Sequence, residues 1–231
     1  MDKPSNGEPP TPFGSVGPPW WSDKTVFLVG GGPSLCGFDF SRLAGVGHAV
    51  GVNQAMLDIP FCVAGVTLDN IFSKQRHAEM CGFAQYTQLY LALGDIWWRS
   101  TTVIPGAVYL RDRNSPVPWA NPGLSAKADE IQRGATSGYV ALGLAVLKRA
   151  KRIVLLGYDY RVEGSRHHYH NEYPWHTLAN DKSLHVWATQ FDSAAADCAR
   201  LGVEVVNASP DSALTAFPKM TINEALQWGQ A

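Results

Sequence analysis

Residues 25–33 read TVFLVGGGP, a short apolar run of β-forming residues that closes in three glycines and a proline. A continuous apolar run of this length is typical of a strand that is buried on both faces of a parallel sheet. Similar runs recur along the chain, at 48–52, 61–67, 102–104 with 107–110, 152–157 and 203–206. Together they predict a set of buried strands that begins with residues 25–29.

Helical patterns lie between several of these runs. Residues 137–149 (SGYVALGLAVLKR) are apolar nearly all round, which predicts a buried helix. Apolar residues also recur at helical spacing from Leu184 to Leu201, and Gly202 then ends the pattern. Strands that alternate with helices predict a Rossmann-like α/β fold, with a mostly parallel sheet and helices on both faces.

Length and composition bound the domain organisation. The 231 residues are 45% apolar and 17% charged, which is enough for one sizeable core and excludes a wholly disordered chain. Residues 1–20 contain six prolines and three glycines and show no hydrophobic period. We therefore expect a flexible tail over residues 1–22 and a single folded domain over residues 23–231.

The sequence pattern predicts neither a membrane span nor a secretory signal. No apolar run approaches the roughly 20 residues that cross a bilayer, so we expect no membrane span. The first residues lack the basic start and apolar stretch of a secretory signal. The cysteines show no C-x-x-C spacing and are expected to be buried thiols of a reducing compartment. They are Cys36, Cys62, Cys81 and Cys198. These features predict a cytoplasmic protein, and the sequence is compatible with an oligomer.

Charge is unevenly distributed around a net value of −1. Residues 111–170 hold ten Lys and Arg against five Asp and Glu. Such a zone suits a phosphate-bearing small molecule, or it is simply a solvated basic face. It does not resemble the basic footprint of a dedicated nucleic-acid binder. Residues 111–135, with three prolines and weak periodicity, are expected to form a long connection that acts as a lid.

The glycines after the first strand are the first candidate binding feature. Glycine lets a ligand approach the backbone closely, and free N–H groups at such a turn attract a phosphate or a nucleoside. The loop is neither a dinucleotide fingerprint, because Leu35 stands at the third glycine's place, nor a P-loop. The alternative is a tight turn without a ligand. We expect the substitution Gly32→Val to block binding and to leave the fold intact.

Short polar side chains follow two further predicted strands. Asn53 comes directly after residues 48–52, and Asp69 and Asn70 come after residues 61–67. Ligands of open α/β sheets bind at the carboxyl ends of the strands, where these side chains are predicted to lie. An amide that donates and accepts is suited to a base or a ribose. The alternative is capping and turn formation.

The predicted buried helix and the strand after it add two more polar groups. Thr136, Ser137 and Gly138 open the helix, where a hydroxyl serves as an N-cap and a glycine leaves room for a bound group. Capping alone would also explain the hydroxyls. Asp159 and Tyr160 follow the strand 152–157, at a position where an acidic residue commonly holds a sugar hydroxyl or orients a basic group.

A cluster of histidines follows within a dozen residues of Asp159. The stretch 166–173 reads RHHYHNEY, and His176 lies beyond it. His168 and His170 suggest zinc, although no cysteine lies nearby and zinc sites usually draw ligands from well-spaced elements. A histidine that acts as a general base fits better, because its unperturbed pKa lies near neutral pH. A polar loop without chemistry is the remaining alternative.

Four stretches, taken in order, resemble the bacterial sialyltransferases that begin with a G-N-G-P-S-L loop. They are residues 26–43 (VFLVGGGPSLCGFDFSRL), 51–54 (GVNQ), 136–160 (TSGYVALGLAVLKRAKRIVLLGYDY) and 205–218 (VVNASPDSALTAFP). The sequence is similar to the wider superfamily too, with its motility-associated glycosyltransferases, archaeal 6-hydroxymethylpterin diphosphokinases and phage-borne proteins. The similarity extends from Thr25 to about Phe217.

The resemblance implies a GT-A-like variant of the Rossmann-like fold in a nucleotide-binding catalytic domain. It implies a nucleotide-sugar co-substrate, no metal or other cofactor, and a histidine that accepts the proton of the acceptor hydroxyl. The nucleotide-binding residues would be Gly31, Gly32, Pro33, Ser34, Asn53, Asp69, Asn70, Thr136, Ser137, Gly138, Asp159 and Tyr160.

The sequence departs from the family pattern at three places. The loop asparagine is Gly31 here, and the two tyrosines that steady the leaving phosphate fall on Arg161 and His167. Both could stabilise developing negative charge. The family motif H-Y-x-x-H ends in Glu172, so His168, His170 and Glu172 all stay open as the base.

The leading expectation is a glycosyltransferase that moves a sugar from a nucleotide-sugar donor to an acceptor hydroxyl. The acceptor would be a glycan or, in a phage-borne protein of the host cytoplasm, a hydroxylated DNA base stacked on Trp119, Tyr169 or Trp175. One alternative is an ATP-dependent diphosphokinase for a pterin-like heterocycle, which would need Mg²⁺ and ligands such as Asp69 or Asp159. Another is a non-catalytic nucleotide-binding protein.

Overall fold

A computed structural model describes residues 17, 21–22, 24–93, 103–113, 123–125, 127, 130–171, 173 and 179–230. These residues fold around one open sheet, in which the described part of the chain supplies eight strands, all of them parallel. The strands are β1 Val26–Val29, β2 His48–Val52, β3 Ala64–Thr67, β4 Gln88–Leu93, β5 Val108–Arg113, β6 Glu130–Gln132, β7 Arg152–Leu156 and β8 Glu204–Asn207. The α/β, Rossmann-like fold predicted from the sequence is therefore confirmed.

The strand order places the first strand at a turning point of the topology. The order is β6-β5-β4-β3-β2-β1-β7-β8, so the chain builds the sheet outward from β1 in one direction and then resumes on its other side with β7. Val26 pairs with His48 of β2 and with Ile153 of β7. Such a reversal leaves a crevice at the carboxyl ends of the two strands that flank it, where ligands of open α/β sheets bind.

Seven α-helices surround the sheet in the described part of the chain. They are α1 Gln54–Asp58, α2 Asn70–Gln75, α3 His77–Tyr86, α4 Ser137–Leu147, α5 Asp181–Thr189, α6 Phe191–Arg200 and α7 Ile222–Gln230. Two short 3-10 helices span Pro33–Leu35 and Phe40–Leu43. Among the described residues, no helix is long and apolar enough to cross a membrane.

The two faces of the sheet carry separate parts of the core. Val26 and Leu28 of β1 pack with Tyr139 and other residues of α4 in one buried cluster. Phe27 and Val29 point the other way and pack with residues of α1 and α7 in a second cluster. Since successive side chains of a strand alternate between faces, both faces of β1 are covered. This confirms the prediction of a strand buried on both sides, with helices on both faces.

Two strands, β4 and β6, were not predicted from the sequence, and two other segments differ from their predicted structure. Only Thr87 separates the end of α3 from the start of β4, so no glycine or proline marks where β4 begins. β6 has only three residues, too few for a recognisable pattern. Residues 103–104 are not a strand, although 107–110 overlap β5. The helical pattern 184–201 is divided between α5 and α6 at Gln190. No glycine or proline stands there, so the apolar period runs through the break.

Trp21 belongs to the packed part of the protein. Composition assigns it to the tail, yet its side chain is 2% exposed and packs into the cluster that contains α4. The Nζ atom of the buried Lys148, at the end of α4, lies 5.8 Å from the centre of the Trp21 ring and 5.6 Å from that of Tyr90. Burial lowers the pKa of Lys148 to about 8. Apart from Gly17, residues 1–20 lie outside the described residues.

All four cysteines are free thiols. Cys62 and Cys198 are buried, as expected, and Cys81 is half-buried. Cys36 is exposed, which corrects the expectation of a buried thiol. It ends the 3-10 helix Pro33–Leu35 at the surface, where its backbone N–H closes the turn onto Pro33.

Candidate functional site

A cleft of about 440 Å³ opens at the carboxyl ends of the strands, at the β1–β7 reversal. Most of the residues selected from the sequence line it. These are Gly31, Gly32, Pro33, Asn53, Asp69, Asn70, Thr136, Ser137, Gly138, Asp159, Tyr160, Arg161, His167 and His168. Ser34 and His170 are not among the lining residues, and Glu172 lies outside the described residues. The fold thus brings together segments that are more than one hundred residues apart in sequence.

The glycine loop is packed against the end of β7. The backbone N–H groups of Gly30 and Gly32 donate to the carbonyls of Leu156 at 2.7 Å and Gly157 at 2.9 Å. A methyl group built at Gly32 would lie 1.8 Å from Oδ2 of Asp159 and 2.6 Å from the carbonyl of Gly157. The structure therefore disfavours the expectation that Gly32→Val leaves the fold intact, because a side chain there would meet Asp159 and Gly157 before it meets a ligand.

Asp159 is a buried carboxylate with one oxygen unpaired among the described residues. Its side chain is 2% exposed, and Oδ2 accepts a hydrogen bond of 2.8 Å from the Ser34 hydroxyl. Oδ1 is buried and has no hydrogen-bond partner among the described residues. Burial raises the pKa of Asp159, while the Ser34 hydrogen bond and the charge of Arg161 oppose that rise. Ser34, also 3.1 Å from the Ser209 hydroxyl, holds this carboxylate from behind the cleft.

Asn53 and Tyr160 hold strained backbone conformations at the cleft. Asn53 has φ 53° and ψ −124°, and Tyr160 has φ 49°, in the region that favours glycine. Such conformations cost about 1–3 kcal/mol each and cluster at functional sites. The side-chain oxygen Oδ1 of Asn53 is buried and accepts no hydrogen bond within the part of the chain that the structure describes. The Tyr160 hydroxyl lies 2.8 Å from that of Thr136.

The polar residues at the starts of α2 and α4 have structural roles as well as a place in the cleft. Asp69 caps α2 by accepting a hydrogen bond of 2.9 Å from the N–H of Phe72. Thr136 caps α4, and the Ser137 hydroxyl accepts from the N–H of Leu68 at 3.0 Å. A methyl group at Gly138 would lie 2.9 Å from the Tyr158 ring, so this glycine permits packing of α4 on Tyr158. Capping therefore explains Asp69 and Thr136 without a ligand, as the sequence allowed, whereas Ser137 bonds to the chain just before α2.

The histidines lie beside the other glycine of the loop. A methyl group at Gly31 would lie 3.2 Å from Nδ1 of His168. The rings of His168 and His170 are parallel within 5°, with centres 5.2 Å apart, and Tyr173 packs edge-on against both. His168 lines the cleft and His170 stacks behind it. Within the described ranges, no group of three or more His, Cys, Asp or Glu side chains is placed to hold a metal ion.

Basic side chains border the same cleft. Arg161 lies 3.9 Å from Glu163 and 3.8 Å from Asp211, and its Nε atom has no hydrogen-bond partner among the residues described. His167 and Arg133 also line the cleft. Arg161 and His167, which the resemblance assigns to the leaving phosphate, therefore both line the cleft. Tyr169, by contrast, does not line the cleft, and the other two proposed stacking residues, Trp119 and Trp175, lie outside the described residues.

The sequence reading missed several lining residues. Among them are Arg133, Tyr173, Leu184 and Trp187. Arg133 belongs to the connection 111–135, whose function as a lid was expected without any residue being named, and most of that connection lies outside the described residues. Leu184 and Trp187 follow the apolar period of α5, and the same period would mark residues that pack into the core. The period alone therefore cannot separate a cleft wall from a core contact.

Comparison with known proteins gives one structural likeness. No protein-family model matches the sequence, and no curated protein sequence matches it. The fold is similar to that of the MAf glycosyltransferase from Magnetospirillum magneticum AMB-1, with a TM-score of 0.56 and 14% sequence identity. The match covers 87% of this chain and 34% of that protein, so this chain spans about a third of its length. At this identity the likeness supports a glycosyltransferase-like fold.

Proposed function

We propose that the protein is a glycosyltransferase that binds a nucleotide-sugar donor in the cleft and transfers the sugar to an acceptor hydroxyl. One observation carries the proposal: two adjacent residues of the glycine loop, Gly31 and Gly32, lie against an imidazole and a buried carboxylate. A side chain at Gly32 would meet Asp159, and one at Gly31 would meet His168. The Asp159 carboxylate, which can accept hydrogen bonds from ligand hydroxyls, and the His168 imidazole, which can remove a proton from the acceptor substrate, therefore both lie at the glycine loop.

The free acceptor atoms suit a nucleoside. Oδ1 of Asp159 and Oδ1 of Asn53 are both buried, and both residues line the cleft. Leaving a buried acceptor unpaired costs free energy, so a ligand that donates N–H or O–H groups to these oxygens recovers that cost. A ribose or a nucleobase carries such donors. Arg161 and His167 then stabilise the negative charge of the departing phosphate.

His168 is the general base in this proposal, because it lines the cleft and His170 does not. Neutral imidazole accepts the proton of the acceptor hydroxyl as the donor bond breaks. We propose that transfer needs no metal ion. The diphosphokinase alternative has weaker support, because Asp69, one of its expected Mg²⁺ ligands, is engaged as the cap of α2. The acceptor in this proposal is a glycan or a hydroxylated DNA base.

The experiment has a binding stage and a transfer stage. Nucleotides and nucleotide sugars are screened by thermal shift with EDTA or with Mg²⁺, since a ligand of the folded state raises the melting temperature. The donors that bind are then incubated with hydroxylated glycans and with DNA that contains hydroxymethylated bases. We expect a nucleotide sugar to bind and to react in EDTA. ATP-dependent transfer that requires Mg²⁺ would favour the diphosphokinase, and binding without turnover would favour a non-catalytic protein.

Single substitutions test the base. His168→Ala is expected to lower kcat by about 10²–10⁴-fold, because a positioned base contributes that much, with donor affinity little changed. His185→Ala is the matched control, since His185 is exposed on α5 and does not line the cleft. Glu172→Gln is measured in the same series, because the motif left that residue open. A wild-type rate for His168→Ala would exclude His168 as the base.

A further inference from the structure

The residue after His168 makes a short hydrogen bond that ties the histidine segment, residues 166–173, to the rest of the fold. The Tyr169 side chain turns away from the cleft, and its hydroxyl donates to Oδ2 of Asp58 at 2.6 Å. Burial, and then the hydrogen bond with Asp58, raise the pKa of Tyr169. The hydroxyl therefore stays protonated and remains the donor.

Asp58 is itself held in place by its own helix. It ends α1, and its other oxygen, Oδ1, accepts from Nε2 of Gln54 at 2.8 Å, one helical turn earlier. The backbone N–H of Gln54 donates in turn to the Tyr173 hydroxyl at 3.0 Å. Helix α1 thus contacts the histidine segment at two tyrosines, one on each side of His170.

A third tie fixes the main chain opposite the glycine loop. The backbone N–H of Tyr169 donates to the carbonyl of Gly31 at 3.0 Å. The Tyr169 ring packs edge-on against His170, with centres 4.7 Å apart. His168 is therefore confined between Gly31 on one side and the rings of His170 and Tyr173 on the other.

We infer that Asp58 and Tyr169 are positioning residues for His168, although neither lines the cleft. Their hydrogen bond anchors the segment that carries the imidazole to α1, and α1 starts directly after Asn53, a lining residue of the cleft. General-base catalysis needs the imidazole within hydrogen-bond reach of the proton that it removes. A loosened segment lowers the fraction of molecules in which that geometry holds. This role rests on the proposed function, in which His168 is the base.

The test compares variants that remove one partner of the hydrogen bond. Tyr169→Phe keeps the ring and its packing and removes the hydroxyl, and Asp58→Ala removes the acceptor. We expect each to lower kcat at least tenfold while the KM for the donor changes less than twofold. Asp58→Asn keeps an acceptor oxygen and should restore part of the rate. The double variant should be no slower than either single variant, because both remove the same interaction.

Tyr109→Phe is the matched control. It deletes a tyrosine hydroxyl that accepts a hydrogen bond of 2.8 Å from the N–H of Ile104, away from the cleft. We expect kcat to stay at the wild-type value. An equal loss of kcat in the control, or a rise of KM without a fall of kcat in Tyr169→Phe, would overturn the positioning role.

A measurement without turnover separates this inference from the proposed function. Proteins labelled with ¹³C in their histidines give Cε1–H resonances by NMR, and His168→Gln assigns the signal of His168. That signal should shift or broaden in Tyr169→Phe and in Asp58→Ala, and should be unchanged in Tyr109→Phe. If the wild type transfers no sugar, the proposed function fails while this comparison still decides whether the pair positions His168. Unchanged signals in both variants would refute the inference.

Discussion

Replacing Gly32 by alanine adds one methyl group at the most crowded point of the glycine loop. Gly32 has φ −66° and ψ 154°, which any residue can adopt, so the cost is purely one of contact. The methyl would lie 1.8 Å from Oδ2 of Asp159, and rotating that side chain away would cost its hydrogen bond to Ser34. The second contact, 2.6 Å to the carbonyl of Gly157, involves backbone and can be relieved only by moving the loop or β7.

Overpacking of this kind typically costs about 1–3 kcal/mol of folding free energy. In a domain of this size each kcal/mol lowers the melting temperature by about 2–4 °C. Urea unfolding and thermal scans should therefore show a destabilised Gly32→Ala variant. Gly31→Ala is the matched control, because its methyl would approach only the His168 ring, at 3.2 Å, and the His170 ring, at 3.9 Å. Its stability should stay close to that of the wild type, while its transfer rate falls if His168 must move.

The result that refutes this reasoning is a Gly32→Ala protein with wild-type stability. It would mean that the two strand ends are not in contact at the glycine loop. Equal destabilisation by Gly31→Ala would show that the loop tolerates no side chain at all, so that the contact with Asp159 is not the cause. Larger substitutions such as Gly32→Val are less informative, because unfolding would mask any effect on binding.

Three further substitutions probe buried groups. Asp159→Asn should raise the melting temperature at neutral pH. Because the pKa of Asp159 is raised, the folded wild type binds the proton more tightly than the unfolded chain, so its stability falls as pH rises above 3.8. A difference in melting temperature between variant and wild type that does not change with pH would contradict this. Lys148→Met should reverse that pattern. Because the folded pKa is about 8 and the ordinary value is 10.5, wild-type stability relative to the variant should rise between these pH values in urea titrations. Trp21→Ala should lower the free energy of unfolding by about 3–5 kcal/mol in thermal and urea unfolding, whereas deletion of residues 1–20 should leave it unchanged. A Trp21→Ala protein with wild-type stability would show that the tryptophan does not pack into the core.

Local pattern sufficed for the central strands and the buried helix. Residues 26–29, 48–52 and 152–156 form strands as predicted, and Ser137 starts α4 as predicted, because burial on both faces leaves a run of apolar residues that no exposed segment shows. Because ligands bind at the carboxyl ends of parallel strands, the sequence alone also pointed to Asn53, the glycine loop and Asp159. All of these lie at the cleft.

Tertiary structure decided what each of these residues does there. The sequence could not show that Gly32 leaves no room for a side chain because Asp159 packs against it, or that Ser34 hydrogen-bonds this carboxylate from behind the cleft. Nor could it show that His168 lines the cleft and His170 does not. Leu184 and Trp187 have the same apolar period whether they line a cleft or a core. The physical reason is common to all of these cases. A periodic pattern shows whether a side chain is buried. Which residue it contacts depends on segments that are more than one hundred residues apart and that only the assembled sheet brings together.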